Sequence, residues 1–129
     1  MRGLPVKTVA ILLAALSLTA CATPKRPIGL YQWGGYDQML YRGYQDPSHM
    51  ETMRAELEAH IRSLEANQGR VAPGLYAELG TLYLQSGNTG RAIALYKSER
   101  DAWPESKGLM DAMIQNLERR QVSAGKAAP

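Results

Sequence analysis

Apolar positions along the chain follow three rhythms. From Met50 they recur at helical spacing: Met50, Met53, Leu57, Ile61 and Leu64 fall 3, 4, 4 and 3 apart, with Glu51, Arg54, Glu58, Arg62 and Glu65 off the stripe. That is a helix burying one face. Asp46-Pro47 supplies its start, as N-cap and first-turn proline, and the pattern lapses between Asn67 and Gly69. A second stretch places Tyr76, Leu79 and Tyr83 on one face, breaks at Gly87-Asn88, and resumes with Ala92 and Tyr96 before Pro104. It predicts two helices folded back on one another. Gly87 can take the left-handed conformation that closes the first, and Asn88 or Thr89 can cap the second. Met110, Met113 and Leu117 then repeat the spacing of a first helix. The third rhythm is an apolar run from Val9 to Leu18, ten residues long if Ser17 is counted. No segment alternates as a strand would. The expected fold is all-α, four to five helices in hairpins over residues 31–122, and the tail 123–129 (SAGKAAP) reads as disordered.

Residues 73–106 are the most specific part of this pattern. Tyr76, Leu79, Gly80, Tyr83, Gly87, Ala92, Tyr96 and Pro104 stand at the spacings of a tetratricopeptide repeat, which the segment resembles, a 34-residue helix–turn–helix. Gly80 and Ala92 suit a point where two helices cross closely, Tyr96 packs back from the second helix, and Pro104 ends it. Glu99 departs from the repeat, which has Ala there, so packing at that end is expected to be looser or the helix tilted. Ile114 stands where a small residue would recur, which suits a terminal capping helix. The resemblance implies a concave face from the first helix of the pair, here Ala77, Thr81, Leu84 and Gln85. That face is neutral and partly apolar, so it would suit extended or helical protein segments. One repeat with two flanking elements makes a thin core, so a partner or a second copy is expected to complete it.

The apolar run near the N-terminus changes the picture. Its ten residues would span about 15 Å as a helix, half of a bilayer's hydrocarbon core of about 30 Å. Arg2 and Lys7 precede it and Leu18-Thr19-Ala20-Cys21 ends it. This is a signal segment rather than a spanning helix, and its end resembles the bacterial lipobox. The resemblance implies cleavage between Ala20 and Cys21, a diacylglyceryl thioether on Cys21 and acylation of its new amino group. Two or more chains would hold the protein firmly where one would not. Ala22, in place of an inner-membrane retention Asp, favours the outer membrane, with the domain in the periplasm. Residues 21–30, with two prolines and a glycine, read as a flexible tether.

Five of the nine aromatic residues, Tyr31, Trp33, Tyr36, Tyr41 and Tyr44, fall within 14 positions. A short helix from about Tyr36 to Gln45 would align Tyr36, Leu40 and Tyr44, with Gly34-Gly35 as its entry turn. Three roles are open: packing onto the following helices, a recognition surface for a protein or a sugar such as peptidoglycan, or a belt at the lipid interface.

Composition narrows the chemistry. With 129 residues there is room for one small domain. The formal charge of +3 includes Arg2 and Lys7; without them 13 basic residues face 12 acidic ones, and no electrostatic case for nucleic acid remains. The single Cys excludes an internal disulfide and a Cys-cluster zinc site. His49 and His60 sit in no catalytic motif, and Glu56–His60, one turn apart, is a pair and not a metal site. Glu56, Glu58, Glu65 and Glu118 read as solvated helix faces. No catalytic site, metal or cofactor is therefore expected beyond the lipid on Cys21. The lipobox, tether, YQWGGYDQMLY stretch and single repeat together resemble a family of small bacterial lipoproteins without an assigned activity. Its members are encoded beside lipoproteins similar to the curli secretion channel and to peptidoglycan-synthase activators. The resemblance implies an adaptor that joins another envelope protein or lipoprotein at the membrane, or alternatively a peptidoglycan- or lipid-binding protein.

Overall fold

Each helix starts and stops where local chemistry requires it. The structure, a computed structural model, describes residues 30–127; the leader 1–20, Cys21, the tether up to residue 29 and residues 128–129 lie outside the described residues. The helices are α1 (Tyr36–Gln45), α2 (Met50–Ala66), α3 (Leu75–Gln85), α4 (Thr89–Ala102) and α5 (Lys107–Ala127). Short 3-10 turns, Pro47–His49 and Pro104–Ser106, lead into α2 and α5. The fold is all-α, as the apolar rhythm predicts, with no strand among the described residues.

The two 3-10 joints share one construction. Asp46 (φ −143°, ψ 106°) and Trp103 (φ −132°, ψ 94°) are both extended, and a proline follows each. A proline drives the residue before it out of the helical region, so the preceding helix ends there. The proline then opens a new turn with its φ already set. Asp46 also caps its turn, its Oδ1 accepting from the Ser48 N–H at 2.9 Å. Between α3 and α4 the expected turn forms: Gly87 has φ +82° and the Asn88 side chain accepts from the Arg91 N–H at 3.1 Å.

Burial divides the core into two clusters that meet at α3 and α4. The first joins α1, α2 and α3 through Met39, Met53, Leu57, Ile61, Leu75 and Leu79, with Leu95 reaching in from α4. The second joins α4 and α5 through Ala92, Ile93, Tyr96, Met110, Ile114 and Leu117, with Ala77 and Leu84 of α3 against it. The α3–α4 crossing is as tight as the small residues imply. A Cβ on Gly80 would lie 2.8 Å from Tyr96 Cε1 and 3.3 Å from the Ala92 carbonyl oxygen.

Four expectations need correction. Glu99 loosens nothing: it is 1% exposed, and its Oε1 accepts from the Gly74 N–H at 2.8 Å and from the Ser106 hydroxyl at 3.2 Å. The larger side chain is kept because it ties the start of α3 to the turn after α4. Ser123 to Ala127 are helical rather than disordered, continuing α5. Gln, Ala, Lys and Arg favour helix, and the lone Gly125 does not outweigh them. The buried stripe of α1 is Met39 and Gly43, with Tyr36 and Leu40 at its edge, while Tyr44 is 82% exposed. A glycine in a core stripe is invisible to a pattern of large apolar residues. Glu58 is no solvated acid either, its side chain being 17% exposed.

Candidate functional site

Among the described residues several concave surfaces stay open on this frame, and two regions stand out. The first lies between α3 and α5, which both pack on α4 but scarcely touch one another. Leu84 from α3 and Ala112, Met113, Asn116, Leu117 and Arg120 from α5 line a largely apolar groove of about 330 Å³. The four face residues expected from the sequence do not act together there. Leu84 lines the groove, and Ala77 packs on the second cluster. Thr81 turns inward, its hydroxyl bonding the Ala77 carbonyl at 3.0 Å and sharing a 3.1 Å hydrogen bond with the Tyr96 hydroxyl. Gln85 borders a different hollow, near Pro47, Glu51 and Arg54. The α5 side of the groove was missed from the sequence, although the Met113–Leu117 spacing was its signal.

The aromatic cluster also divides. Tyr31 is half-buried, its ring edge-on to Trp103 at 5.5 Å and to Trp33 at 6.4 Å. Tyr36 packs against the first core cluster. Its phenol is pushed above the ordinary range by burial and then by the charge of Glu78. Trp33, Tyr41 and Tyr44 are exposed, at 43%, 64% and 82%. Packing therefore accounts for two of the five rings. Trp33, Gly34, Gly35, Tyr36, Asp37 and Gln38 line a second concavity of about 440 Å³. It adjoins a hollow of about 510 Å³ formed by Asp37, Gln38, Tyr41 and Arg42.

The segment that carries these rings is fixed by a histidine. His60 Nε2 lies 2.8 Å from the Gln32 carbonyl oxygen. A carbonyl only accepts, so Nε2 carries the proton. Gly34, at φ +60°, rests against the same imidazole, where a Cβ would come within 2.5 Å of Nδ1. His60 is thus a structural tie rather than a free surface side chain. Its neighbour Glu56 faces Arg42 at 3.0 Å instead. Among the described residues no three or more of His, Cys, Asp and Glu gather as metal ligands.

Polar side chains brace the helices behind these surfaces. Glu58 of α2 accepts from the Tyr83 hydroxyl of α3 at 2.7 Å and from Arg91 of α4 at 3.1 Å. The Tyr83 bond, then Arg91 and Arg62, hold its carboxyl below the usual range, against partial burial. The same bond raises the Tyr83 phenol. Tyr76 likewise donates to Glu65 at 2.8 Å; burial first, and then that bond, push its phenol upward.

These features define a small all-α domain of successively packed helices that leaves the α3–α5 groove and the aromatic concavities uncovered. The chain belongs to the DUF4810 family, a domain of unknown function, whose sequence profile matches residues 30–113. No curated protein and no solved structure matches it. The matched span takes in the whole aromatic cluster and the Leu84 and Met113 walls of the groove, but not Asn116, Leu117 or Arg120.

Proposed function

We propose that the chain is a lipid-anchored bacterial envelope protein whose helical domain is a non-catalytic adaptor, docking a segment of another envelope protein in the α3–α5 groove. One observation carries the reading: Leu84, Met113 and Leu117 form an open apolar floor bordered by Asn116 and Arg120. In a stacked-helix architecture each pair buries its faces against the next unit, and among the described residues this floor is left open. Leu109 of α5, 64% exposed, falls on the same side of the helix as Met113, Asn116 and Arg120 and extends the uncovered surface. The occupant that fits is an amphipathic segment with apolar anchors at helical spacing and an acidic flank opposite Arg120.

Membrane attachment in this reading comes from Leu18-Thr19-Ala20-Cys21 and its resemblance to a lipobox. No helix among the described residues is long and apolar enough to cross a bilayer, so a covalent lipid would supply the attachment. Mass spectrometry of the protein from its host tests this part. Loss of residues 1–20 with lipid on Cys21 is the expected result, and an unprocessed chain overturns it. In-cell photo-crosslinking from position 84 tests the adaptor. A single protein adduct, reproduced from position 113 and lost in Leu117→Glu with helicity retained, is expected. Absence of any adduct from both positions sinks the reading.

A further inference from the structure

The aromatic trough over the start of α1 shares no lining residue with the groove, and although Tyr36 packs on the first core cluster, Trp33 beside it is 43% exposed. Trp33 and Tyr36 form its wall, with ring centroids 6.4 Å apart and planes 32° from parallel. Asp37 and Gln38 lie on the helix beside them, both exposed, and both border the adjoining hollow closed by Tyr41 and Arg42. Two concavities therefore share a carboxylate and an amide, with an aromatic ring at either end. From Tyr36 to Tyr41 the helix rises about 7.5 Å, enough to run past more than one six-membered ring.

We infer that this trough is a carbohydrate-binding site for a neutral pyranose oligosaccharide. The face of an aromatic ring is negative, and the axial C–H groups of a pyranose are weakly positive, so the sugar's apolar face settles on Trp33 or Tyr36. Its rim of hydroxyls then meets groups that can satisfy it. Asp37 accepts through two oxygens, while the Gln38 amide donates and accepts. No ion pair among the described residues engages Asp37. Arg42 is paired with Glu56 at 3.0 Å, and among the described residues no other cation lines the trough. Gly34 and Gly35, both at positive φ, bring bare backbone to the wall and leave it unobstructed by side chains. The His60 tie fixes the segment before a ligand arrives, so little conformational freedom is lost on binding. The inference is independent of the groove and of any lipid on Cys21.

The test is a tryptophan-fluorescence titration of the full chain in detergent with N,N′,N″-triacetylchitotriose, cellotriose and, separately, phosphatidylglycerol vesicles. Trp33 and Trp103 are the two indoles, and Trp103 is buried, so a ligand in the trough reports through Trp33. Saturable change with at least one trisaccharide is expected, with affinity falling about tenfold or more (about 1.4 kcal/mol) in Asp37→Ala. Since Trp33→Phe removes the reporter, calorimetry serves for Trp33→Ala, where binding is expected to disappear while the helical circular-dichroism signal stays. No saturable response to either sugar overturns the inference. So does unchanged sugar affinity in both variants, or a Trp33 blue shift with vesicles alone, which would assign the rings to the lipid interface.

Discussion

Gly80 and Tyr96 are locked against one another: a methyl group on Gly80 would come within 2.8 Å of the Tyr96 ring. The ring cannot yield, because Tyr96 is fully buried and its hydroxyl is held by Thr81. Ala in place of Gly normally favours a helix by up to about 1 kcal/mol. Overpacking a rigid site costs about 1–3 kcal/mol, and so the steric effect wins. Gly80→Ala is expected to lower the thermal midpoint, by roughly 4–8 °C for each net kcal/mol lost. Gly90→Ala is the control, since no atom lies within 4 Å of its added Cβ. It should leave stability unchanged or raise it slightly. Equal effects at the two positions would refute the crossing argument.

Glu99 should tolerate replacement of its carboxyl by an amide but not loss of length. Its Oε1 accepts two hydrogen bonds, whereas its Oε2 is buried without a partner. Glu99→Gln keeps an acceptor for the Gly74 N–H and the Ser106 hydroxyl at the same side-chain length. It is expected to fall within about 1 kcal/mol of the parent chain. Glu99→Ala strands both donors and leaves a void, at a cost of about 2–4 kcal/mol. Urea unfolding of the two variants decides this; an Ala variant as stable as the Gln variant would mean that the ties are idle.

The Glu58–Tyr83 pair makes stability depend on pH at both ends. The Glu58 carboxyl is held below its ordinary value, so its contribution is present above about pH 4.5 and is lost as pH falls through the depressed value. The Tyr83 phenol is raised, so its contribution is present below about pH 10 and is lost as pH rises through the elevated value. Tyr83→Phe removes the shared bond, with an expected cost of about 1–2 kcal/mol at neutral pH. It should also flatten the acid and alkaline limbs. Denaturation midpoints from pH 3 to 11 would reveal this, and limbs as steep as in the parent chain would contradict it.

Much of the framework was legible because it rests on local chemistry. The helix ends at Asp46-Pro47, Gly87-Asn88 and Trp103-Pro104 follow from capping and proline sterics that act over a few residues. The need for a small residue at Gly80 was legible too, as the tyrosine it faces lies only one hairpin away. What stayed hidden depends on contacts distant in sequence or on residues with no apolar signal. Trp103 stands outside the aromatic cluster in the sequence, yet it is buried between the edge of Tyr31 and the Arg70 guanidinium, 4.1 Å above its ring. Glu99 reads as a mismatch because hydropathy cannot register two donors that converge on it. The aromatic cluster was visible as a cluster, but only three-dimensional packing separates Tyr31 and Tyr36 from the exposed Trp33, Tyr41 and Tyr44.

The tie between His60 and the segment before α1 carries the last prediction. His60 Nε2 bonds the Gln32 carbonyl and its ring supports Gly34, while Tyr31 on the same segment lies edge-on to Trp103. Removing the imidazole deletes the one bond and the surface against which the Gly34 turn is seated. In His60→Ala the segment should detach ahead of the helices, because few buried apolar contacts hold it. Trp103 would then lose the cover of Tyr31. The expected readout is red-shifted emission and easier acrylamide quenching of Trp103, measured in a Trp33→Phe background where it is the remaining indole. The helical circular-dichroism signal should hardly change. His60→Gln, whose amide can donate to the same carbonyl, should restore part of the protection. Gly34→Ala should reproduce the His60→Ala phenotype, since its Cβ would overlap the ring and the backbone there is left-handed. Unchanged quenching in both His60→Ala and Gly34→Ala would show that the segment is held by its aromatic contacts alone.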